Sequence, residues 1–246
     1  MTTQSVPTVS DANEDVRIDS SPEPVVRAEE ICKTYGEGPL AYEALAPCSI
    51  SLYPGELVVI LGPSGSGKST LLHLLSTIDV PTSGHVWLAQ RRVDSMAERD
   101  LARVRACEIG FVLQRDNLIP SLRLDENVAA PLMLAGVSRR EALVRAREVL
   151  DSVGLGAKVA SFPGQVSGGE AQRAAIARAC SARPSLIVAD EPTGALDRAN
   201  GAMVMDLLQQ VTADGSAATL LVTHDQEYAT RANRTFTIVD GHLRET

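Results

Sequence analysis

No apolar run in the 246 residues approaches the roughly 18 needed to span a bilayer. Met1–Ser10 has no basic residue and no apolar stretch, which argues against a secretory signal. A cytoplasmic protein is expected, and any work at a membrane needs another chain to supply the span. Basic residues are outnumbered, 23 Lys and Arg against 31 Asp and Glu, giving a formal net charge of −8. That balance argues against a general nucleic-acid binder, which needs a clustered basic surface. The four cysteines, Cys32, Cys48, Cys107 and Cys180, form no CxxC and have no His at ligand spacing. They read as reduced, mostly buried thiols rather than a zinc site. Glycine (18) and proline (13) stand at average levels, which excludes collagen-like and low-complexity classes. What remains is ordinary globular usage, 44% apolar and 22% charged, at a length that allows one or two domains with a large core.

Residues 1–24 are rich in Ser, Thr, Pro and acid and offer no periodic apolar face, so a disordered acidic tail is expected there. From Val25 the texture changes. Strands are expected at Val25–Ile31, Ile50–Tyr53, Leu57–Leu61, Val86–Leu88, Ile109–Val112, Leu186–Ala189, Thr219–Val222 and Thr235–Val239. The continuous apolar run Leu57–Leu61 suits a strand covered on both faces. Helices are expected over Lys68–Ser76, Asp125–Val153, the small-residue stretch after Gly168, and Ala199–Val211. Ala142, Leu143, Ala146, Val149, Leu150 and Val153 recur at helical spacing, and Arg139, Arg140, Arg145 and Arg147 read as the solvated face. Strands alternating with helices imply an α/β fold with a mainly parallel sheet.

The run Gly62-Pro63-Ser64-Gly65-Ser66-Gly67-Lys68-Ser69 fits GxxxxGK[ST], between an apolar strand and a helix. Its glycines let the backbone curl so that N–H groups face phosphate oxygens, and the helix adds its positive end. Lys68 can reach the β- and γ-phosphates, and Ser69 can offer its hydroxyl to Mg²⁺. Such chemistry needs an acid on a neighbouring strand to hold Mg²⁺ through water. Asp190, at the end of Leu186-Ile187-Val188-Ala189, supplies it, and Glu191 beside it is placed to polarise the attacking water.

Five further elements join the phosphate loop along the chain. Val166-Ser167-Gly168-Gly169-Glu170, with Gln172 and Arg173, resembles the signature motif of the ATP-binding cassette ATPases. Gln114 resembles their Q-loop glutamine, Ala195-Leu196-Asp197 their D-loop, and His224 their switch histidine. Tyr35 resembles the adenine-stacking aromatic, although beside Gly36 and Gly38 it would also suit packing in a turn. The resemblance covers about Val25 to Glu245. It implies a P-loop NTPase with a RecA-like, mainly parallel core, an antiparallel β subdomain and an α-helical subdomain at about 115–182, all within a cassette spanning 25–246. It implies ATP and Mg²⁺ as cofactors. Nucleotide would be held by Tyr35, Gly62, Pro63, Ser64, Gly65, Ser66, Gly67, Lys68, Ser69, Thr70, Gln114 and Asp190. Metal would be held by Ser69, Gln114 and Asp190, with Glu191 and His224 catalytic. Ser167, Gly168, Gly169, Glu170 and Asp197 would contact the nucleotide across a head-to-tail homodimer that closes on two ATPs.

The same resemblance implies an integral membrane permease as partner, no nucleic acid, and a place on the cytoplasmic face of the membrane. The interval from Gln114 to Ser167 has room for a helical subdomain but not for the long coiled coils of the chromosome-maintenance relatives, and the short stretch after His224 leaves no room for an added regulatory domain. Several stretches resemble the macrolide-export, lipoprotein-release and cell-division branch. These are Asp79-Val80-Pro81-Thr82-Ser83-Gly84, Leu118-Ile119-Pro120-Ser121-Leu122, Glu126-Asn127-Val128, and Asp190 through Asp197. Departures from the family's usual residues stand at Val166, Ala171, Leu113 and Gln90, none of which removes a catalytic side chain. The expected function is an ATPase that drives export or extraction of a hydrophobic, lipoprotein or peptide-like substrate. The alternative is a signalling ATPase that controls a cell-wall hydrolase through its permease. Leu118, Ile119, Leu122 and Leu132 are expected to line a groove for a permease helix, or else to pack the helical subdomain.

Overall fold

The computed structural model describes residues 22–114 and 117–246. The expected disordered tail falls almost wholly outside the described residues. In chain order the elements are β1 (Val26–Tyr35), β2 (Tyr42–Leu52), β3 (Leu57–Leu61), α1 (Lys68–Leu75), β4 (Ser83–Leu88), β5 (Arg91–Arg92), α2 (Glu98–Glu108) and β6 (Ile109–Val112). They continue with α3 (Leu124–Leu134), α4 (Arg139–Ser152), α5 (Gly168–Ser181), β7 (Leu186–Asp190), α6 (Arg198–Ala213), β8 (Ala218–Thr223), β9 (Arg234–Val239) and β10 (His242–Glu245). The strands form two sheets. One is four-stranded and antiparallel, ordered β2-β1-β4-β5. The other is ordered β10-β9-β3-β8-β7-β6, parallel throughout except for β10 at one edge. The expected α/β class with a mainly parallel sheet is what the chain adopts.

The continuous apolar run of β3 has the reason inferred for it. Val58 and Ile60 face one core with α1 and the antiparallel sheet, while Leu57 and Val59 face a second core with α5 and α6. Both faces are covered, so no polar alternation survives. Each fully buried Leu or Ile contributes about 1.5–3 kcal/mol relative to exposure.

A third core is helical: Leu118, Leu124, Val128, Leu132, Ala142, Ala146, Leu150 and alanines of α5. The expected helix Asp125–Val153 is two helices. Gly136, at φ +92°, ends α3, and the Ser138 side chain accepts from Glu141 N to start α4. That Gly and that cap are both visible in the sequence. The arginines of α4 are not simply a solvated face. Arg147 donates to the buried Asp125 at 3.0 Å, Arg139 to Glu126 at 2.9 Å, and Arg145 to the Ser181 carbonyl at 3.2 Å, so α4 is tied to α3 and α5. Burying Asp125 is tolerable only with such a partner.

All four cysteines are free thiols, Cys48 buried and the other three half-buried. Burial first, then the Glu30 charge, pushes the Cys48 thiol up to about 12, which makes it inert at neutral pH.

Gly84, the second residue of β4, stands at φ +83°, and a Cβ there would run into the carbonyl of Glu30 on β1. Gly84→Ala combines left-handed backbone strain with a clash against rigid main chain. It is expected to cost about 2–4 kcal/mol. Differential scanning calorimetry should show a drop in Tm of at least roughly 4 °C; an unchanged Tm would mean that β1 and β4 can separate at no cost.

Candidate active site

The parallel strands end level with one another. Leu61 pairs with Thr223, Asp190 with Val222, and Val112 with Ala189. Each is followed by a segment that carries predicted site residues, at the C-terminal edge where open α/β sheets bind ligands.

After β3 the loop 62–67 curls into α1. Gly67 stands at φ +106°, and a Cβ there would meet the Ala44 carbonyl, so only glycine fits. Lys68 is buried and folds back over the loop. Its Nζ donates to the Gly62 carbonyl at 2.9 Å and to the Pro63 carbonyl at 2.8 Å. The ammonium is thereby held at the N-terminus of α1, where a phosphate would sit. Ser69 Oγ donates to Asp190 Oδ2 at 3.2 Å, which joins the end of β7 to the start of α1. Burial, helped by the adjacent Glu191 charge, raises the Asp190 carboxyl above the ordinary range, against the Ser69 hydrogen bond and the His73 and Lys68 charges.

Glu191 turns the chain at the end of β7. It is a non-glycine residue at φ +47°, fixed by a backbone bond from its N–H to the Val222 carbonyl at 3.0 Å. Its carboxylate is held twice: Thr223 Oγ1 donates to Oε2 at 3.1 Å, and His224 Nδ1 lies 2.9 Å from Oε1. A carboxylate only accepts, so Nδ1 carries the proton in this contact. Sequence reasoning named Glu191 and His224 separately and missed Thr223. The parallel pairing of β7 with β8 is what brings the three together.

Gln114 follows β6, and its amide lies against Gly194 in the segment after β7. From α5, Gln172 Nε2 donates to the neighbouring Leu113 carbonyl at 3.1 Å. Ser167 caps α5: Glu170 N donates to its Oγ at 3.3 Å, and Ser167 N donates to Glu170 Oε2 at 2.9 Å. Lys158 sits 2.7 Å from Glu170 Oε1, and that bond, with the Ser167 amide, lowers the Glu170 carboxyl to about 2. Gly168 packs on Leu196 and Gly169 on Asn200. Asp197 caps α6 by accepting from Asn200 N at 2.9 Å, and that bond holds its carboxyl low. The signature serine and glycines thus belong to the α5–α6 junction of this copy, not to its own phosphate loop.

Tyr35 ends β1 and pairs with Tyr42, the first residue of β2. Both line a pocket of about 330 Å³ whose floor is Gly67, Lys68, Ser69 and Thr70. Tyr42 was not singled out from the sequence; its only signal is being one of four tyrosines close behind Tyr35.

The ABC transporter family model matches residues 45–194, from the antiparallel strand β2 through the phosphate loop and signature helix to the turn after Glu191. The chain belongs to the ABC transporter family. This ATP-binding cassette is 44% identical over 225 residues to the lipoprotein-releasing system ATP-binding protein LolD of Bordetella avium, covering 92% of this chain and 98% of that protein. It is 41% identical over 225 residues to the macrolide export ATP-binding/permease protein MacB of Marinobacter nauticus, 92% of this chain but 35% of that one. Among solved structures it is similar to the cassette MJ0796 in a dimeric post-hydrolysis state bound to ADP and Pi. The TM-score there is 0.81 at 38% identity, covering 90% of this chain and 97% of that one. The cassette is an ATPase.

Proposed function

We propose that this cassette hydrolyses Mg-ATP within a head-to-tail homodimer and thereby drives a membrane permease that releases or exports a lipoprotein-like or other hydrophobic substrate. The observation that carries the chemistry is the convergence of Lys68, Ser69, Asp190, Glu191 and His224 at one edge of the parallel sheet. The relatives' names, lipoprotein release and macrolide export, favour this over the signalling alternative.

The donors fit Mg²⁺. Ser69 and Asp190 present hard oxygens close together. Among the described residues no three His, Cys, Asp or Glu could hold a metal unaided, which suits an ion that also relies on phosphate and water. Bound there, Mg²⁺ would neutralise charge on the β- and γ-phosphates. The chain's own residues do the rest. Lys68 and the loop amides orient the phosphates. Gln114, at the end of β6, would complete the metal's surroundings. Tyr35 stacks on the adenine. Glu191, oriented by Thr223, takes the proton of the attacking water, and His224 positions the γ-phosphate. Ser167 and the α5 N-terminus are available to the ATP of a second copy, with Asp197 beside them.

Among the described residues no helix is long and apolar enough to cross a membrane, so the proposed place on the cytoplasmic face depends on a permease. The groove expected for that permease is not the one read from sequence. Leu118 is 6% exposed and Leu132 is likewise buried, both in the helical core. Ile119 alone of the four stands well exposed. The apolar hollow lies instead between α2, the end of β6, α3 and α5, lined by Ile78, Phe111, Leu113, Pro131 and Leu134, with a volume of about 490 Å³. Leu134 is 77% exposed at its rim. Leu134→Asp should therefore abolish copurification with the permease and permease-stimulated ATPase. It should leave basal ATPase and folding intact, since such exposed changes alter stability by under about 0.5 kcal/mol. Leu118→Asp should instead unfold the helical layer. A Leu134→Asp protein that still carries its permease would refute the groove assignment. The wider reading is tested in proteoliposomes holding both subunits. ATP should release a lipid-modified protein from the membrane, and ATPase without release would count against this substrate class.

A further inference from the structure

The geometry points to Asp79 as a positioning residue that sets the nucleotide-facing tyrosine, acting together with Lys33. The inference rests on the proposed role of Tyr35 and concerns how that ring is held. Asp79 lies in the link between α1 and β4, far in sequence from β1. Tyr35 Oη donates to Asp79 Oδ2 at 2.8 Å, and Lys33 Nζ donates to Asp79 Oδ1 at 2.7 Å. Lys33 also donates to the Val80 carbonyl at 2.7 Å, and Val80 N donates to Asp79 Oδ1 at 2.7 Å. One carboxylate therefore receives three donors, from β1 and from its own link.

The rest of the link is clipped to the same strand. Thr82 N donates to the Cys32 carbonyl at 2.9 Å, and Thr34 N donates to Thr82 Oγ1 at 3.0 Å. Tyr35 stands 42% exposed at the end of β1. Without the Asp79 bond its ring could turn about the side-chain torsions, and ordering it would then oppose nucleotide binding. Lys33 Nζ lies 5.0 Å from the Tyr35 ring centroid, within cation–π range. The ammonium gives the ring a second hold besides the hydroxyl. Burial would raise the Asp79 carboxyl, but the Lys33 and Tyr35 hydrogen bonds outweigh it and keep the group ionised. Tyr35 is pushed the other way, by burial and then by Asp79, and stays a protonated donor.

The link carrying Asp79 begins where α1 ends, and α1 begins with Lys68. The ring that meets the base and the helix that meets the phosphates are thus joined on one rigid path, which fixes their separation.

The test measures binding of Mg-ATP and of Mg-tripolyphosphate, which has no base, by calorimetry at a temperature where every variant is folded. Tyr35→Ala should weaken ATP about 5- to 100-fold, the range for one base–aromatic stack, and leave tripolyphosphate unchanged. Asp79→Ala should weaken ATP by about 3- to 10-fold through the lost ordering of one side chain, again sparing tripolyphosphate. In the Tyr35→Ala background Asp79→Ala should do nothing more, because its effect runs through the ring. Tyr35→Phe, which removes only the hydroxyl, should reproduce part of the Asp79→Ala loss. Normal ATP affinity in Asp79→Ala, equal loss for both ligands, or additive losses in the double variant would each overturn the proposal while leaving the role of Tyr35 standing. Normal ATP affinity in Tyr35→Ala would overturn that role itself.

Discussion

Glu191→Gln is expected to cut ATP turnover by about 10²- to 10⁴-fold, the usual cost of losing a positioned base. The amide keeps the size of the side chain; its oxygen can still accept from one of Thr223 and His224, while its NH2 faces the other as a donor, and the turn at φ +47° with its backbone bond to Val222 does not depend on the side chain. Binding should survive with them. The variant is expected to accumulate as an ATP-bound dimer, seen as a doubled mass in size-exclusion chromatography with Mg-ATP and not with Mg-ADP. His224→Ala should also slow turnover, through loss of a contact to the γ-phosphate and of one of the two holds on Glu191. Near-normal ATPase in purified Glu191→Gln would sink the assignment of the base.

Lys68→Ala is expected to lose both affinity and rate. The ammonium is fixed between the Gly62 and Pro63 carbonyls in the structure, so phosphate meets a charge already oriented, with little reorganisation left to oppose binding. Removing it leaves phosphate charge uncompensated in ground and transition states alike and takes a donor from two loop carbonyls. By comparison with single donors that stabilise developing negative charge, turnover should fall about 10²- to 10³-fold. Calorimetry with Mg-ATP checks the affinity. Wild-type affinity would count against the phosphate role of the loop.

The parts of this site that could be read in the sequence are those held by local chemistry. The glycines and lysine of the loop, the apolar strand before it and the start of α1 at Lys68 are consecutive residues whose pattern has one good structural solution. β6 was likewise readable, Ile109–Val112, because it is short, apolar and buried. What escaped is weakly patterned or non-local. β2 extends back to Tyr42, hidden by Ala46-Pro47-Cys48, and Pro47 is tolerated because β2 is an edge strand. α2 buries only Leu101 and Val104, too few to show a period. β10 is exposed along its length apart from Leu243. The Glu191–His224 contact, the Asp79–Tyr35 bond and the tie of Arg147 to Asp125 depend on register and helix packing that no short window contains. The groove expectation failed for Leu118 and Leu132 for the same reason. An apolar residue in a connecting segment looks the same whether it faces a partner or its own core.

The third core is drawn from one uninterrupted length of chain, Leu118 to Ala177, whereas the sheet draws on residues from Val25 to Leu243. β6 and β7 are hydrogen-bonded neighbours with that entire helical layer inserted between Val112 and Leu186. Local contacts form early because they close short loops, and the sheet must wait for distant strands to meet. During synthesis the helical layer can therefore assemble before its half of the sheet is complete. In the finished protein α5 also packs on the sheet through Ile176 and Ala179, so α3 and α4 are the part of this layer that can open without the sheet melting. Since Gln172 ties α5 to the carbonyl next to Gln114, a shift of α5 that followed such opening would be carried directly to the end of β6.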